Sequence, residues 1–568
     1  MTVKLCRSLT LFLIATLGIA LGVSSCGGDA PRSGNVFYYN EQDGLTTLDP
    51  ARIGARASGW IGAQIFSGLV TLDTALRPAP QLAKNWSVSD DGLRWTFHLR
   101  GDARFTDDPC FPNGKGRTVT AQDVRYSFER VCSPESKSTG AWVFRDKVKG
   151  AAAFIDAEPG KRPEHIEGFR VVNDSTLEIE LNQPFAPFLT LLSIPYAYVV
   201  PREAVEKYGE DFFRHPVGSG PFKLKEWNTD LLLTLERNPN YFERDAEGKQ
   251  LPYLDGVQIS FIKDINTEFV EFEQGNLDMV ASIAPTRVDV ILSEDGMRLK
   301  EGYQQFRYFR VPALSTEYYG FQLDSASEGG KASPMATNRY LRLALNYGID
   351  REAIIKYVLK GQAMAGKHGP IPPGAPGFSG VEGYRYDREL AKRLLDSAGF
   401  PGGKGLPPIL LQTGTNERTA SVAEAVIEQL KAIGVTVTTK QVEFAQLREM
   451  YKSAKIPFWR ASWIADYPDG ENFMALFYSP FIEHQGPNTT HYRNPAVDSL
   501  YRQALDPHLT TEQRAAIYSK AERIILDDAP WVILSYSILQ RLSQPWIAGY
   551  TVDPLDRLVL TTVRKQQS

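Results

Sequence analysis

At 568 residues the chain is longer than one ordinary hydrophobic core supports, so about two to four domains are expected. A composition of 43% apolar and 23% charged residues excludes disordered and fibrous classes. The net charge of −4 speaks against a nucleic-acid partner, which calls for a basic face.

The N-terminus carries the sharpest composition shift. Lys4 and Arg7 precede an apolar run from Leu9 to Val23, followed by Val-Ser-Ser-Cys ending at Cys26. A short basic segment and an apolar run below the roughly 20 residues of a spanning helix read as a signal peptide over residues 1–25. The ending resembles a bacterial lipobox, which makes Cys26 the lipidated residue and 26–35 a flexible tether; ordinary cleavage with an incidental Cys26 is the alternative. Of the remaining cysteines, Cys6 leaves with the leader. Cys110 and Cys132 in an oxidising compartment suggest one disulfide, with two free buried thiols as the other reading.

Past the tether, Val36 to Asn40 reads as a strand and Trp60 to Leu69 as a helix. Asp90-Asp91-Gly92 is a turn before a period-two strand, in which Trp95, Phe97 and Leu99 alternate with Thr96, His98 and Arg100. Thr120 caps a helix to Arg130. Leu177, Ile179 and Leu181 mark another half-buried strand. Gly218-Ser219-Gly220-Pro221 turns into strands Phe222 to Trp227 and Leu231 to Glu236. Val257, Ile259 and Phe261 mark a further strand, and Thr267 to Gln274 a short helix. From about Val311 the pattern changes. Helices are expected at Tyr340 to Tyr347, at Arg351 to Leu359 after Asp350, and at Ala391 to Ala398 before Gly399, with a Pro/Gly-rich crossing from Pro370 to Gly380. The strand Ile409 to Thr413, the helix Thr419 to Ile433 stopped by Gly434, and the strand Val435 to Val442 form a parallel crossover unit. Asp498 to Leu526 reads as helical, and the last thirty residues (Val552, Leu558, Val559, Leu560) alternate like strands.

Six blocks, LAKNWSVSDDGLRWTFHLR, TVTAQDVRYSFER, HPVGSGPFKLKEWNTDLLLTLERNPNYF, LRLALNYGIDREAII, YDRELAKRLLDSAGF and WIADYPDGENF, together resemble the large extracytoplasmic solute-binding proteins of ABC importers, family 5. The C-terminal THYRNPAVDSLY and QPWIAGYTVDPLD are most similar to the oligopeptide-binding branch. The resemblance implies a mixed α/β, two-lobed clamp with a discontinuous first lobe. Lobe 1 would comprise residues 36–67, 196–311 and 540–568, a subdomain of residues 68–195 would be inserted in it, and lobe 2 would be residues 312–539. TDDPCFPNGKGRTVTA departs from the family's shorter turn and carries Cys110.

Residues Trp459 to Phe473, WRASWIADYPDGENF, gather a cation, an anion and two aromatics in eight positions. The resemblance implies that Asp466 pairs with a peptide's ammonium, that Arg460 meets the carboxylate of a short peptide, and that Trp463 lines a side-chain pocket with Tyr467 beside it. Tyr318, Tyr319 and Phe321 would offer backbone hydrogen bonds to an extended peptide by strand addition. The plainer reading of Arg460 and Asp466 is a structural ion pair or solvated charges. The seven histidines (98, 165, 215, 368, 484, 491 and 508) are scattered, with no HExxH, CxxC, GxSxG or Walker-type loop, so neither metal nor cofactor is expected and no enzyme activity is implied.

The expected function is therefore a lipid-anchored, exported and monomeric binding protein that captures short peptides and delivers them to a membrane permease with its ATPase subunits. The alternatives are another solute (nickel chelate, haem, oligosaccharide or opine) or an exported structural or enzymatic lipoprotein.

Overall fold

The computed structural model describes residues 34–158 and 160–566. The expected signal peptide, the lipidation site Cys26 and nearly all of the tether lie outside these residues. From Asn35 onward the chain forms one compact unit, built on three principal sheets.

The first sheet pairs Val36–Asn40 in parallel with Gly256–Ser260, followed by antiparallel Leu232–Arg237 and Phe222–Asn228. Phe37 and Tyr39 point inward, as the alternation predicts. The second sheet runs Ala83–Val88, Arg94–Leu99, Thr176–Glu180, Phe169–Asn173, all antiparallel. Its buried Trp95, Phe97, Leu177 and Ile179 share one core with Val124 and Phe128 of the helix Ala121–Cys132. That helix starts where the sequence predicts, because Thr120 and Asp123 form a reciprocal capping box.

Two long antiparallel strands, Arg307–Phe321 and Trp531–Ser543, join the lobes. At about 3.3 Å per residue the fifteen-residue strand spans about 50 Å. Its pairing breaks between Pro312 and Thr316, so each strand has one ladder at the first-lobe end and another at the second. Beyond this break the sheet continues with Phe458–Ile464, Ile409–Thr413 and Val437–Gln441. The last two are parallel and connected by the helix Glu417–Lys431, which Asn416 caps and Gly434 (φ +94) ends. The crossover unit is thus the one expected. A separate core of Tyr319, Phe321, Leu341, Leu430, Phe458 and Val532 consolidates this lobe.

Four local expectations are corrected. The segment after Asp350 makes a single α turn, Arg351–Ala353, and then a π-helical stretch, Ile354–Val358. The helical region at 498–526 is two helices, Pro495–Gln503 and Thr511–Asp528, because Asp506-Pro507 breaks it and Thr510 caps the second. The alternating tail is not a strand at Val552 or at Leu558 to Leu560. Its carbonyls instead accept isolated donors from helix side chains and from the long strand: Asp556 from the Trp60 indole, Leu558 from Gln64 at 2.8 Å, Pro554 from the Leu314 amide at 3.0 Å. These satisfy the backbone without a ladder. Finally, Cys110 and Cys132 are free thiols rather than a disulfide. Cys132 is buried at the end of its helix, whereas the Cys110 loop is docked by hydrogen bonds from Tyr208 to Asp108 (2.8 Å) and from Lys207 to the Pro109 carbonyl (2.7 Å). Burial pushes both thiols up to about 12.

Candidate functional site

The site is organised by the strand Phe458–Ile464 and the loop after it. Side chains alternate along a strand, and here the alternation sorts most of them, with Phe458 buried at the start and Trp463 half-buried. Trp459, Ala461, Ala465 and Tyr467 are buried, while Arg460, Ser462, Ile464 and Asp466 are partly or well exposed on the other side. Trp459 stacks on Tyr451 and anchors the strand. One edge of the strand is fully paired, Phe458 to Ile464 against Phe321 to Ser315. On the other edge its only register partner among the described residues is Gln412, opposite Trp459. From Arg460 to Ile464 that edge is open, a template onto which an extended chain can hydrogen-bond.

At the end of this strip, Asp466 sits on a rigidly built loop. Asn472 accepts from the Trp463 indole at 2.8 Å and from the Asp466 amide at 3.2 Å. Tyr467 and Tyr501 both donate to the buried Glu471, and Arg514 pairs with the buried Asp469. The Asp466 carboxyl itself stays accessible but is walled by protein. Burial pushes its pKa up to about 6, opposed by its hydrogen bond with Asn472 and by the field of Lys147. A carboxylate desolvated in this way gains more from a cation than one in open water.

At the other end, Arg460 is ion-paired with Glu317 across the ladder. Both border a cavity of about 260 Å³ that also takes in Asn416, Arg418 and Thr419 from the start of the helix Glu417–Lys431, with Ser535 and Ser537 from the crossing strand. Burial lowers the Arg418 pKa, and its guanidinium makes no hydrogen bond or ion pair among the described residues. Two arginines against one glutamate leave this cavity one positive charge in excess. It lies beyond the carboxyl end of Ile409–Thr413, at the start of the following helix. In open α/β sheets such crevices are where ligands bind.

The expected site residues therefore separate. Arg460 and Asp466 are both partly or well exposed, the arginine on the strand and the aspartate in the loop two residues past its end. The polar atoms of Trp463 and Tyr467 brace the loop through Asn472 and Glu471; Tyr467 is buried, whereas Trp463 is half-buried. Tyr318, Tyr319 and Phe321 are corrected: Tyr318 stacks on Trp531 at 3.4 Å, Phe321 stacks on Phe458 at 4.9 Å, and all three are at most 4% exposed. Their backbone is already paired on both edges from Thr316 to Gly320. Strand addition shifts one strand over, to the open edge at Arg460 to Ile464.

Sequence reasoning missed Arg418, Glu317 and Lys147, which reach the site from separate segments and carry no local signature. Asn472 was within reach, as the asparagine of the same WIADYPDGENF block. Another groove, about 1010 Å³, lies elsewhere, between the helices Ala121–Cys132 and Arg202–Tyr208. Its charges are largely matched already, for example Arg117 with Asp123 and Glu203, and Arg130 with Asp49.

Comparison with known proteins agrees with this architecture. The sequence profile of the bacterial extracellular solute-binding proteins, family 5, matches residues 77–484. The periplasmic oligopeptide-binding protein OppA of Escherichia coli (strain K12) is 30% identical over 551 residues, covering 95% of this chain and 94% of the relative. Heme-binding protein A of Haemophilus influenzae is 28% identical over 538 residues, 92% of this chain and 91% of the relative. Among solved structures, the unliganded open form of the periplasmic murein tripeptide-binding protein MppA superposes with a TM-score of 0.76 at 27% identity, covering 94% of this chain and 99% of that one. With the profile spanning most of the chain and a relative aligned end to end, this two-lobed protein belongs to the bacterial extracellular solute-binding proteins, family 5, whose members bind solutes rather than catalyse reactions.

Proposed function

We propose that this protein captures short peptides for an ABC importer, holding them in extended form along the open edge from Arg460 to Ile464. One observation carries the reading. The accessible face of a single strand presents an unpaired edge, with a desolvated carboxylate beyond one end and an arginine-rich cavity at the other. An extended zwitterion of a few residues matches that order: ammonium at Asp466, main chain on the edge, carboxylate toward Arg460 and Arg418. Because Glu317 occupies Arg460, Arg418 is the readier carboxylate partner, and a ligand that reaches Arg460 displaces Glu317.

Other relatives are named for haem and, as a probable role, for deoxycholate, so the charge order rather than the fold favours a peptide. Sheet membership supports lobe 1 as residues 36–67, 196–311 and 540–568, the insertion as 68–195 and lobe 2 as 312–539, with the two long strands crossing between the lobes. In this reading the protein acts as a monomer, tethered through lipid on Cys26 and delivering its ligand to a permease. No helix among the described residues is long and apolar enough to cross a membrane, and labelling cells with a palmitate analogue tests the anchor. Calorimetric titration with tri-, tetra- and pentaalanine tests the ligand class. Saturable binding that is lost on N-acetylation is expected; no binding by any of the three refutes the reading.

A further inference from the structure

Where the chain leaves the sheet toward Asp466, one side chain takes over from the ladder. Ala465 makes the last bond to the long strand, its amide donating to the Leu314 carbonyl at 2.8 Å. The next amide, that of Asp466, has no strand partner among the described residues. It donates instead to Oδ1 of Asn472 at 3.2 Å, and the same oxygen accepts from the Trp463 indole at 2.8 Å. Asn472 lies in the short helix Glu471–Met474. The turn before that helix is closed by bonds from the Asp469 amide to the Tyr467 carbonyl (2.9 Å) and from the Asn472 amide to the Asp469 carbonyl (3.1 Å). This turn brings the Asn472 side chain back onto both the strand end and the loop. Asn472 is only 4% exposed, and with its oxygen taken by two donors, its amino group is what bonds the Asp466 carboxyl. A carboxamide is the one side chain of this size that offers a strong acceptor and a donor together.

Resting on the peptide reading above, we infer that Asn472 is a positioning residue, which fixes the backbone and the carboxyl of Asp466 so that an oriented carboxylate awaits the ligand ammonium. Asn472 is too deeply buried to meet the ligand and acts through Asp466. Its oxygen ties residue 466 to residue 463, so the loop keeps one path off the strand. Its amino group holds the carboxyl and favours the charged form against the desolvation of the loop. A group ordered before binding loses less conformational freedom when the ligand arrives. The other ionisable groups acting on or beside Asp466 are Lys147 and Tyr196, from separate segments, and Tyr467, Asp469 and Glu471 on its own loop. Tyr467 and Glu471 bond each other, and Asp469 pairs with Arg514. None of these five hydrogen-bonds Asp466; Asn472 does so twice, through the amide and through the carboxyl.

The test is a double-mutant cycle on trialanine affinity, with a pH profile beside it. Asn472→Leu keeps the volume and removes both polar functions. It should weaken trialanine about tenfold in the wild type but by less than about twofold once Asp466→Asn is in place, because its effect runs through the Asp466 charge. Asn472→Asp keeps an acceptor for both donors and puts a second carboxyl where the amino group was. Two carboxyls so placed resist ionising together, so the acid limb of the affinity profile should move up by about one pH unit or more, with affinity at pH 8 within about threefold of the wild type. A loss from Asn472→Leu that is equally large in the Asp466→Asn background marks a merely structural role and overturns the inference. So does an acid limb of Asn472→Asp that coincides with the wild type's. If one variant does not fold the other decides, and failure of both to fold shows a structural role alone. All of these leave the peptide reading intact, whereas failure of trialanine to bind the wild type refutes that reading itself.

Discussion

Replacing Asp466 by asparagine keeps the shape of the side chain and removes only its charge. The neighbouring groups are fixed independently of that charge: Asn472 is held by the Trp463 indole, and Tyr467 by Glu471. The variant should therefore fold as the wild type does and lose affinity alone. Breaking one partner of a desolvated charge pair costs about 2–5 kcal/mol. Asp466 retains solvent access, so the lower end applies, about 2 kcal/mol or about a thirtyfold weaker Kd for trialanine. The pH profile carries a second signature. A ligand ammonium requires the ionised carboxyl, whose pKa is about 6 in the empty protein, and it requires its own proton, lost near pH 8. Wild-type affinity should be highest between about pH 6 and 8 and fall on either side, with the acid limb absent in Asp466→Asn. Calorimetry at five pH values, with N-acetyl-trialanine as control, reads both effects. An unchanged Kd in the variant, or an acid limb that persists in it, refutes the assignment of the ammonium to Asp466.

Three further outcomes follow from the geometry. Arg418→Met should reduce discrimination between tetraalanine and its C-terminal amide by about tenfold, and Arg460→Met should do so less while Glu317 holds that arginine; equal loss in both contradicts the order of the two arginines. Glu522, 1% exposed and bonded to the Ile371 amide and the Ser379 hydroxyl, has its pKa raised to about 7 by burial. Its folded pKa exceeds its unfolded one, so the stability it contributes is full below about pH 4.5 and is lost as pH rises through 7, about 3 kcal/mol in all. Glu522→Gln should flatten the decline of Tm between pH 5 and 8, and a variant that declines like the wild type counts against it. Alkylation in denaturant without reductant should label both Cys110 and Cys132; a mass unchanged by the reagent would show a bridge instead.

Local signals accounted for much of the fold. Thr120 with Asp123, Gly434 after Ile433, and the alternation around Phe97 are each decided within a few residues, and each appears where expected. The long crossing strands were not legible, since Arg307–Phe321 is buried on both faces toward its end and shows neither a period of two nor a period of 3.6. The tail misled in the opposite way: Leu558 and Leu560 are buried as a strand's inner face would be, but the backbone between them bonds to Gln64 rather than to a neighbour strand. The site divided along the same line. Asp466 could be singled out within its own block, and the strand's alternation separates the partly exposed Arg460 from the buried Trp459 and Ala461. Lys147 and Arg418 are brought in by tertiary packing, which no local pattern encodes.

Native mass spectrometry of the protein purified from its producing cells, followed by acid release and identification of what it carries, tests the central claim most directly. Peptides of about three to five residues with free N-termini are predicted, bound one per chain and displaced by trialanine. A tetrapyrrole, sugar or metal chelate in their place, with no mass shift on adding peptide, would contradict the account.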